Sequence, residues 1–344
     1  MSRLSIFFKR VKDGSLNRMN LHAHKIKEET GRPVILTELD MAWCIFRYGI
    51  GYLEYHVFGF SKVHGAKKRS TFMNMDHNVS LVRMLNDPSY YSAVEDKSQF
   101  ERNFAAYLGR EHIDLRDKDT SDLKAFCEGK EYVFAKCTDM FGGIGVQKID
   151  VSSIKDYSSL YNELRHNSQF LVEDEIRQHH IMNKLCAACV NTLRVVTLLK
   201  DGEPHIGYVL LRVGSGNKPV DNISSGGMYT LVGEDGVLHF PAFCDKTGDF
   251  YEHHPVTGTK FIGFEIPYFA EAIDMCKKAA LEVPQMGYVG WDVGITENGP
   301  VLVEGNNFPG YDMPQNSCFH TDGTGILPKF EKILGMKIPR NYRK

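Results

Sequence analysis

The sequence predicts an α+β protein in which a helical N-terminal extension precedes antiparallel sheet. Three observations carry this reading. Apolar runs of strand type occur in pairs joined by glycine turns: NTLRVVTLLK and EPHIGYVLLRV meet at Asp201-Gly202, and the stretch VGWDVGITENGPVLVEGNNFPG (289–310) folds back at Glu297-Asn298-Gly299. Apolar residues at helical spacing recur in 39–60, 78–87, 99–109, 153–167 and 268–283. The charge is uneven, with 13 Lys/Arg against 6 Asp/Glu in residues 1–70, a net of +7 in a chain of net −2.

The 344 residues suffice for two or three packed units. A hydrophobic fraction of 42% and a charged fraction of 24% describe a globular chain. The charge balance and the lack of a helix-turn-helix or RNA-binding signature exclude a nucleic-acid partner. The 8 cysteines form no framework. Cys186-Ala-Ala-Cys189 reads as buried thiols of a reducing cytoplasm, since no second pair completes a zinc site. The N-terminus has no secretory signal pattern.

Taken in order, the extension holds the most apolar run, Leu39 to Phe60. Asp40, Arg47, Glu54 and His56 interrupt it, and Gly49 and Gly51 weaken it as one span. One or two amphipathic helices packed on the rest are expected. Peripheral contact with an anionic membrane surface is the functional alternative, because Lys62, Lys67, Lys68 and Arg69 follow. The helix NVSLVRMLND stops before Pro88. The helix in QFERNFAAYLG opens at Lys97, a solvated lysine unless an anion occupies that terminus.

EYVFAKC is a strand ending near Lys136, and TDMFGGIGV leads into the returning strand VQKID. Gly142, Gly143 and Gly145 make a loop whose backbone N–H groups can approach phosphate oxygens, or a plain hairpin loop. It is neither a Walker loop nor a dinucleotide fingerprint. The strand QFLVEDEI (169–176) ends in acidic residues, then Arg177, Gln178, His179 and His180. The adjacent histidines lack a spaced carboxylate and make no metal site by spacing. Arg194 interrupts an apolar strand and must snorkel, pair or face a ligand. Asn222 to Gly227 form a polar glycine loop of the kind that covers a substrate, ahead of a hairpin over 228–243. In the last hairpin Glu304 and Asn306 share a face and the turn can bring Asp292 opposite them. That is an all-oxygen set suited to Mg²⁺, or an acidic hairpin with a polar exit.

The order of these parts resembles the ATP-grasp superfamily over roughly residues 90–335. NTLRVVTLL, VLVEGNNFPG and the segment around GYLEYHVFGF resemble the sugar-transfer-associated branch, related to teichuronopeptide biosynthesis proteins. The resemblance implies an ATP-grasp fold with a basic helical extension (1–90), a nucleotide lid (91–176), a C-terminal antiparallel-sheet part with the metal site (177–335) and a tail (336–344). It implies that Lys97 and Lys136 contact phosphates, with Lys136 near the adenine as well, and that the loop Phe141–Val146 lies over the β- and γ-phosphates. Glu173 would accept from the adenine amino group, with Asp174, Glu175 and Ile176 as the hinge. His180 falls where the family places its ribose-binding carboxylate. Arg194 would steady the transferred phosphoryl group, and Asp292, Glu304 and Asn306 would hold two Mg²⁺ ions, with Mn²⁺ as a substitute. The activity implied is ATP-dependent ligation of a carboxylate to an amine through an acyl phosphate, acting on a cell-surface polysaccharide or its precursor. The alternatives are phosphotransfer to a hydroxyl and a non-catalytic nucleotide-binding subunit. The expected location is cytoplasmic, with the inner membrane face as the peripheral site.

Overall fold

The computed structural model describes residues 16–138, 145–216 and 226–342. Gly142 and Gly143, and positions 222–225 of the later glycine loop, lie outside the described residues. Two compact units arise: residues 1–84 with 310–344, and residues 85–309.

The first unit is helical. Its main elements are the helices Leu16–Thr30, Val34–Tyr48, Tyr52–Val57 and Met75–Leu85, joined by Leu327–Leu334. The long apolar run is broken into two helices at Gly49, whose φ of 69° ends the first in a left-handed cap. No helix among the described residues is long and apolar enough to cross a membrane. Met41, Cys44, Tyr55, Phe58, Phe60 and Phe72 are buried together with Phe330. Within this core Asp40 accepts from Arg69 at 2.6 and 2.7 Å and from the Tyr55 hydroxyl at 2.7 Å. A buried guanidinium is tolerable here because its charge is neutralised and its N–H groups are used. Gln315 ties in the returning segment by binding both the N–H and the carbonyl of Met73 at 2.8 and 3.0 Å.

The second unit holds two antiparallel sheets. In chain order the strands are β1 (His112–Asp114), β2 (Tyr132–Lys136), β3 (Val146–Asp150), β4 (Leu171–Asp174), β5 (Thr192–Lys200), β6 (Glu203–Val213), β7 (Met228–Leu231), β8 (Ala242–Cys244), β9 (Asp249–Tyr251), β10 (Tyr288–Thr296) and β11 (Gly299–Asn306). The smaller sheet runs β1-β4-β2-β3 and the larger β11-β10-β5-β6-β7-β8-β9. Helices Thr120–Cys127 and Tyr157–His166 serve the smaller sheet, and their Leu123, Cys127 and Leu164 share a core with Val133, Ala135 and Val172. Both helices start at an aspartate, Asp119 and Asp156, whose carboxylate caps the first N–H groups.

The larger sheet is central because β5 and β10 are buried on both faces, as strands covered on both sides are. Trp291 anchors one face, its ring 5.1 Å from that of Phe104 and its indole N–H on the Thr197 hydroxyl at 2.9 Å. The β5–β6 turn places Asp201 at φ 51° and Gly202 at φ 82°, as a two-residue turn between twisted strands requires. Helix Phe269–Glu282 lays Ala272, Met275, Cys276, Ala279 and Ala280 into the same core. The α+β class, the N-terminal helices and the antiparallel pairing all follow the expectation. The 99–109 helix is shorter than its pattern: Lys97–Asn103 gives way to a 3-10 turn, Ala105–Tyr107.

Candidate active site

The candidate site draws on both sheets of the second unit. On β2, Lys136 lies two residues from Phe134, which pairs with Glu173 of β4. Side chains alternate along a strand, so Lys136 and Glu173 share a face as diagonal neighbours. The Lys136 ammonium donates to Glu173 Oε2 at 2.5 Å.

Arg110 enters the same cluster with its side chain 2% exposed. It donates to Glu173 Oε2 at 3.0 Å, to Glu101 Oε1 at 2.5 Å and to the carbonyl of Leu302 at 2.6 Å. Gly109 lets the chain approach β11 this closely. Its φ is 58°, and a Cβ there would clash with Val301 Cγ1. Burial alone would raise the Glu173 carboxyl, but Arg110 and Lys136 hold it down at about 2. Arg110 and Lys136 also act to lower Glu101, but there they are outweighed. Burial, with ionised Glu173 beside it, pushes it up to about 8.

Glu101 sits four residues after Lys97 on helix Lys97–Asn103, so both face the same way. Asp96 caps this helix through the Gln99 N–H at 2.8 Å. The Lys97 N–H donates to the Thr138 carbonyl at 3.2 Å, which fixes the helix start beside the entry to the glycine loop. Burial lowers the Lys97 ammonium, and Glu304 opposes that shift. Lys97, Glu101, Lys136, Glu173 and Glu304 line one cleft, with Val94 and Phe100 as its apolar wall.

The other half of the cluster lies on the hairpin. Asp292 of β10 pairs with Glu304 of β11 and with Arg194 of β5. The register then slips, Val293 pairing with Leu302, so Val303 is an extra residue. Such a bulge re-aims its neighbours, and here Val303, Glu304 and Gly305 all reach the cleft. Arg194 binds Asp292 through Nε to Oδ1 at 2.5 Å and Nη2 to Oδ2 at 2.9 Å. Arg212 of β6 adds Nη1 to Oδ2 at 2.8 Å. Burial would raise Asp292, but Arg194 and Arg212 bring it to about 2. Glu304 is raised, by burial first and then by the Asp292 charge.

The donor set fits a divalent cation. Two neighbouring carboxylates, one of them destabilised as an anion, are what such an ion would relieve. Asp292 uses three of its roughly four lone-pair sites on guanidinium N–H groups, and the Glu304 carboxyl group faces what remains, where a cation would take the place of its proton. Asn306 Oδ1 accepts the Phe308 N–H at 2.8 Å and keeps its second lone pair.

The remaining sequence-derived residues lie elsewhere. Asp174 and Glu175 pair with Lys130 at 3.3 Å and Lys148 at 2.8 Å, and with Ile176 they line a second, polar cleft. Gly145 is at φ 74° just before β3, and its carbonyl accepts from Gln169 at 3.1 Å. His180 does not line either cleft. It stacks on His179, ring centroids 4.4 Å apart, and lies 2.9 Å from Glu297 Oε1 of the hairpin turn. His179, His180 and Glu297 are the one trio of possible metal ligands among the described residues that converge within 4.8 Å. Glu297 supplies the carboxylate that linear spacing did not show. His179 Nδ1 accepts the Ile181 N–H at 3.2 Å, so its Nε2 carries the proton toward Glu297 at 3.4 Å. Glu297 is thus the acceptor of a histidine staple.

Sequence reasoning missed Arg110, Glu101 and Arg212. Arg212 carried the same signal as Arg194, a guanidinium inside an apolar strand. Glu101 carried only its four-residue spacing from Lys97.

Residues 138–333, more than half of the chain, match the family described as sugar-transfer associated ATP-grasp. No curated protein matches the sequence. Among solved structures, the chain is similar to the ATP-grasp ligase PsnB in complex with precursor peptide PsnA2 and AMPPNP, at 14% identity over 66% of this chain and 54% of that one, TM-score 0.38. It is similar to the D-alanine-D-alanine ligase from Coxiella burnetii, at 12% identity over 72% and 55%, TM-score 0.37. The N5-carboxyaminoimidazole synthetase from Staphylococcus aureus, complexed with ADP, gives 12% identity over 72% and 53%, TM-score 0.42. The chain spans about half the length of these proteins.

Proposed function

Because the chain belongs to the sugar-transfer associated ATP-grasp family, we propose that it is an ATP-dependent carboxylate–amine ligase whose substrate is a cell-surface glycan or its precursor. The observation that carries the reading is the convergence of Lys97, Lys136, Glu173 and Glu304 on one cleft, beside the Arg194–Asp292 pair. The glycan is suggested by the family's description.

A carboxylate is a poor electrophile until it accepts the γ-phosphoryl group of ATP. Transfer of that group is mostly positioning and charge neutralisation. In this reading Lys97 and Lys136 offset the phosphates, and Glu173 holds Lys136 in place while facing the adenine amino group. Glu304, Asn306 and the remaining lone pair of Asp292 would hold Mg²⁺, which supplies neutralisation of the phosphate oxygens when bound. Arg194, fixed by Asp292 on one side, keeps its Nη1 for the phosphoryl group or the acyl phosphate. The hinge Asp174–Ile176 and the loop of Gly142, Gly143 and Gly145 complete the proposed nucleotide contacts, and His180 would have to leave Glu297 to reach the ribose.

The test is interception of the acyl phosphate. With ATP, Mg²⁺, a panel of carboxylic acids and hydroxylamine, a ligase releases ADP and phosphate and forms a hydroxamate. A stable phosphoester and no hydroxamate from any acid would replace this reading with phosphotransfer to a hydroxyl.

A further inference from the structure

Helix Val34–Tyr48 is apolar on two opposite faces. Inward lie Thr37, Met41, Cys44 and Tyr48, all buried. Outward lie Ile35, Leu36, Leu39, Trp43 and Phe46, exposed by 64, 52, 63, 54 and 47%. At 3.6 residues per turn these five fill a sector about 100° wide opposite the buried one, with no charged residue inside it. Trp43 and Phe46 stand side by side, centroids 6.3 Å apart. A surface helix normally presents polar residues outward, and a concentrated apolar face marks a binding surface. Leu21 and Leu53, on the helices before and after it, are also exposed, by 55 and 42%.

We propose that this face seats the protein on an anionic lipid bilayer. Charge selects the occupant. The unit formed by residues 1–84 and 310–344 holds 20 Lys/Arg against 10 Asp/Glu, a net of +10. The chain totals −2, so residues 85–309 carry −12. A second copy docking through the same face would set +10 against +10 and be repelled. An anionic leaflet attracts that charge and offers hydrocarbon to the aliphatic side chains, while indole prefers the headgroup level. Arg47, next to Phe46, and Lys62 and Lys67 are exposed. Fifteen residues extend about 22 Å along a helix, so the element lies in the interface plane and does not cross it. The proposal is independent of the ligase reading.

The experiment is co-sedimentation of the full chain with phosphatidylcholine vesicles containing or lacking phosphatidylglycerol, at low and high salt. Binding to the anionic vesicles alone, weakened by salt, is expected. Leu39→Ser with Trp43→Ser should lower the partition at least tenfold while the melting temperature and nucleotide binding stay unchanged, since both side chains point outward. Vesicles should shift tryptophan emission to the blue in the native protein and not in Trp43→Phe, because Trp291 is already 1% exposed. Absence of binding at low salt, equal binding to neutral vesicles, or full binding by the double variant overturns the proposal. So does a dimer in sedimentation analysis that the double variant dissolves, which would give the face to a second copy.

Discussion

Asp292 and Glu304 are cross-strand partners driven in opposite directions: two guanidinium groups bring Asp292 to about 2, while burial and the Asp292 charge raise Glu304. The two carboxylates therefore have separate duties. Asp292 holds Arg194 and Arg212 in the sheet, and Glu304 is the anion that gains most from a cation.

The pair predicts a split between activity and stability. Glu304→Gln should cut turnover on the order of a hundredfold while the fold is kept or slightly strengthened, because it removes a strained charge. Asp292→Asn should also cut turnover, and it should lower the melting temperature. Breaking a buried ion pair from one side costs about 3–5 kcal/mol, with an isosteric amide at the lower end. Isothermal titration with Mg²⁺ and nucleotide, beside thermal melts, checks both halves. Near-normal turnover in Glu304→Gln would remove the hairpin from the metal proposal.

Lys136 carries the nucleotide prediction. Lys136→Ala should weaken ATP more than AMP, since the lost contact is mainly to phosphates. Arg110 still neutralises Glu173 in that variant, so the protein should fold. Lys97→Ala should follow the same order. Equal loss of ATP and AMP binding would move these lysines away from the phosphates.

What the sequence showed and what it hid follow from the range of the interactions. The β10–β11 hairpin was legible because its turn and its alternation lie within a few residues. Arg110 was not, because its partners Glu101 and Glu173 are 9 and 63 residues away. The same holds for the histidine staple, whose Glu297 lies 117 residues from His180. The return of residues 310–344 to the N-terminal helices rests on Gln315 and Met73, 242 residues apart, which no local pattern announces. The outward face of helix Val34–Tyr48 hid for another reason. Periodicity finds an apolar stripe, and two opposite stripes look like a uniformly buried run.

Glu101 predicts a pH dependence of stability. Its folded value is near 8 against an ordinary 4.5, so the folded state holds a proton that the unfolded chain releases. Stability should therefore fall as pH rises from about 4.5 to about 8. Glu173 works in the opposite sense, its stabilisation being lost as pH falls from 4.5 toward 2. Glu101→Gln imitates the protonated acid and should flatten the upper slope while leaving the acid limb. Melting curves across that range would detect it, and an unchanged slope would mean that Glu101 is ionised in the fold.

Gly109 tests how Arg110 is placed. Gly109→Ala forces a left-handed φ and a Cβ against Val301 Cγ1. It should cost on the order of 1–3 kcal/mol, and Val301→Ala should recover part of that by removing the obstacle. If Gly109→Ala melts like the native protein, the close approach of this turn to β11 is not required.

Arg194 and Arg212 share Asp292, but they hold it differently. Arg194 makes two of the three N–H bonds and lies on the adjacent strand, whereas Arg212 makes one from the next strand out. Arg194→Ala should therefore destabilise the fold more than Arg212→Ala. If the proposed phosphoryl contact holds, Arg194→Ala should also lower kcat by about tenfold or more with ATP affinity little changed, because the contact strengthens as charge moves in the transition state. Combining it with Asp292→Ala separates the two roles. The stability losses should be far from additive, since either change breaks the same pair, while kcat should fall further in the double variant than in Arg194→Ala, because Asp292 is also a proposed metal ligand. Lost ATP affinity with kcat preserved would confine Arg194 to holding β5 and β10 together.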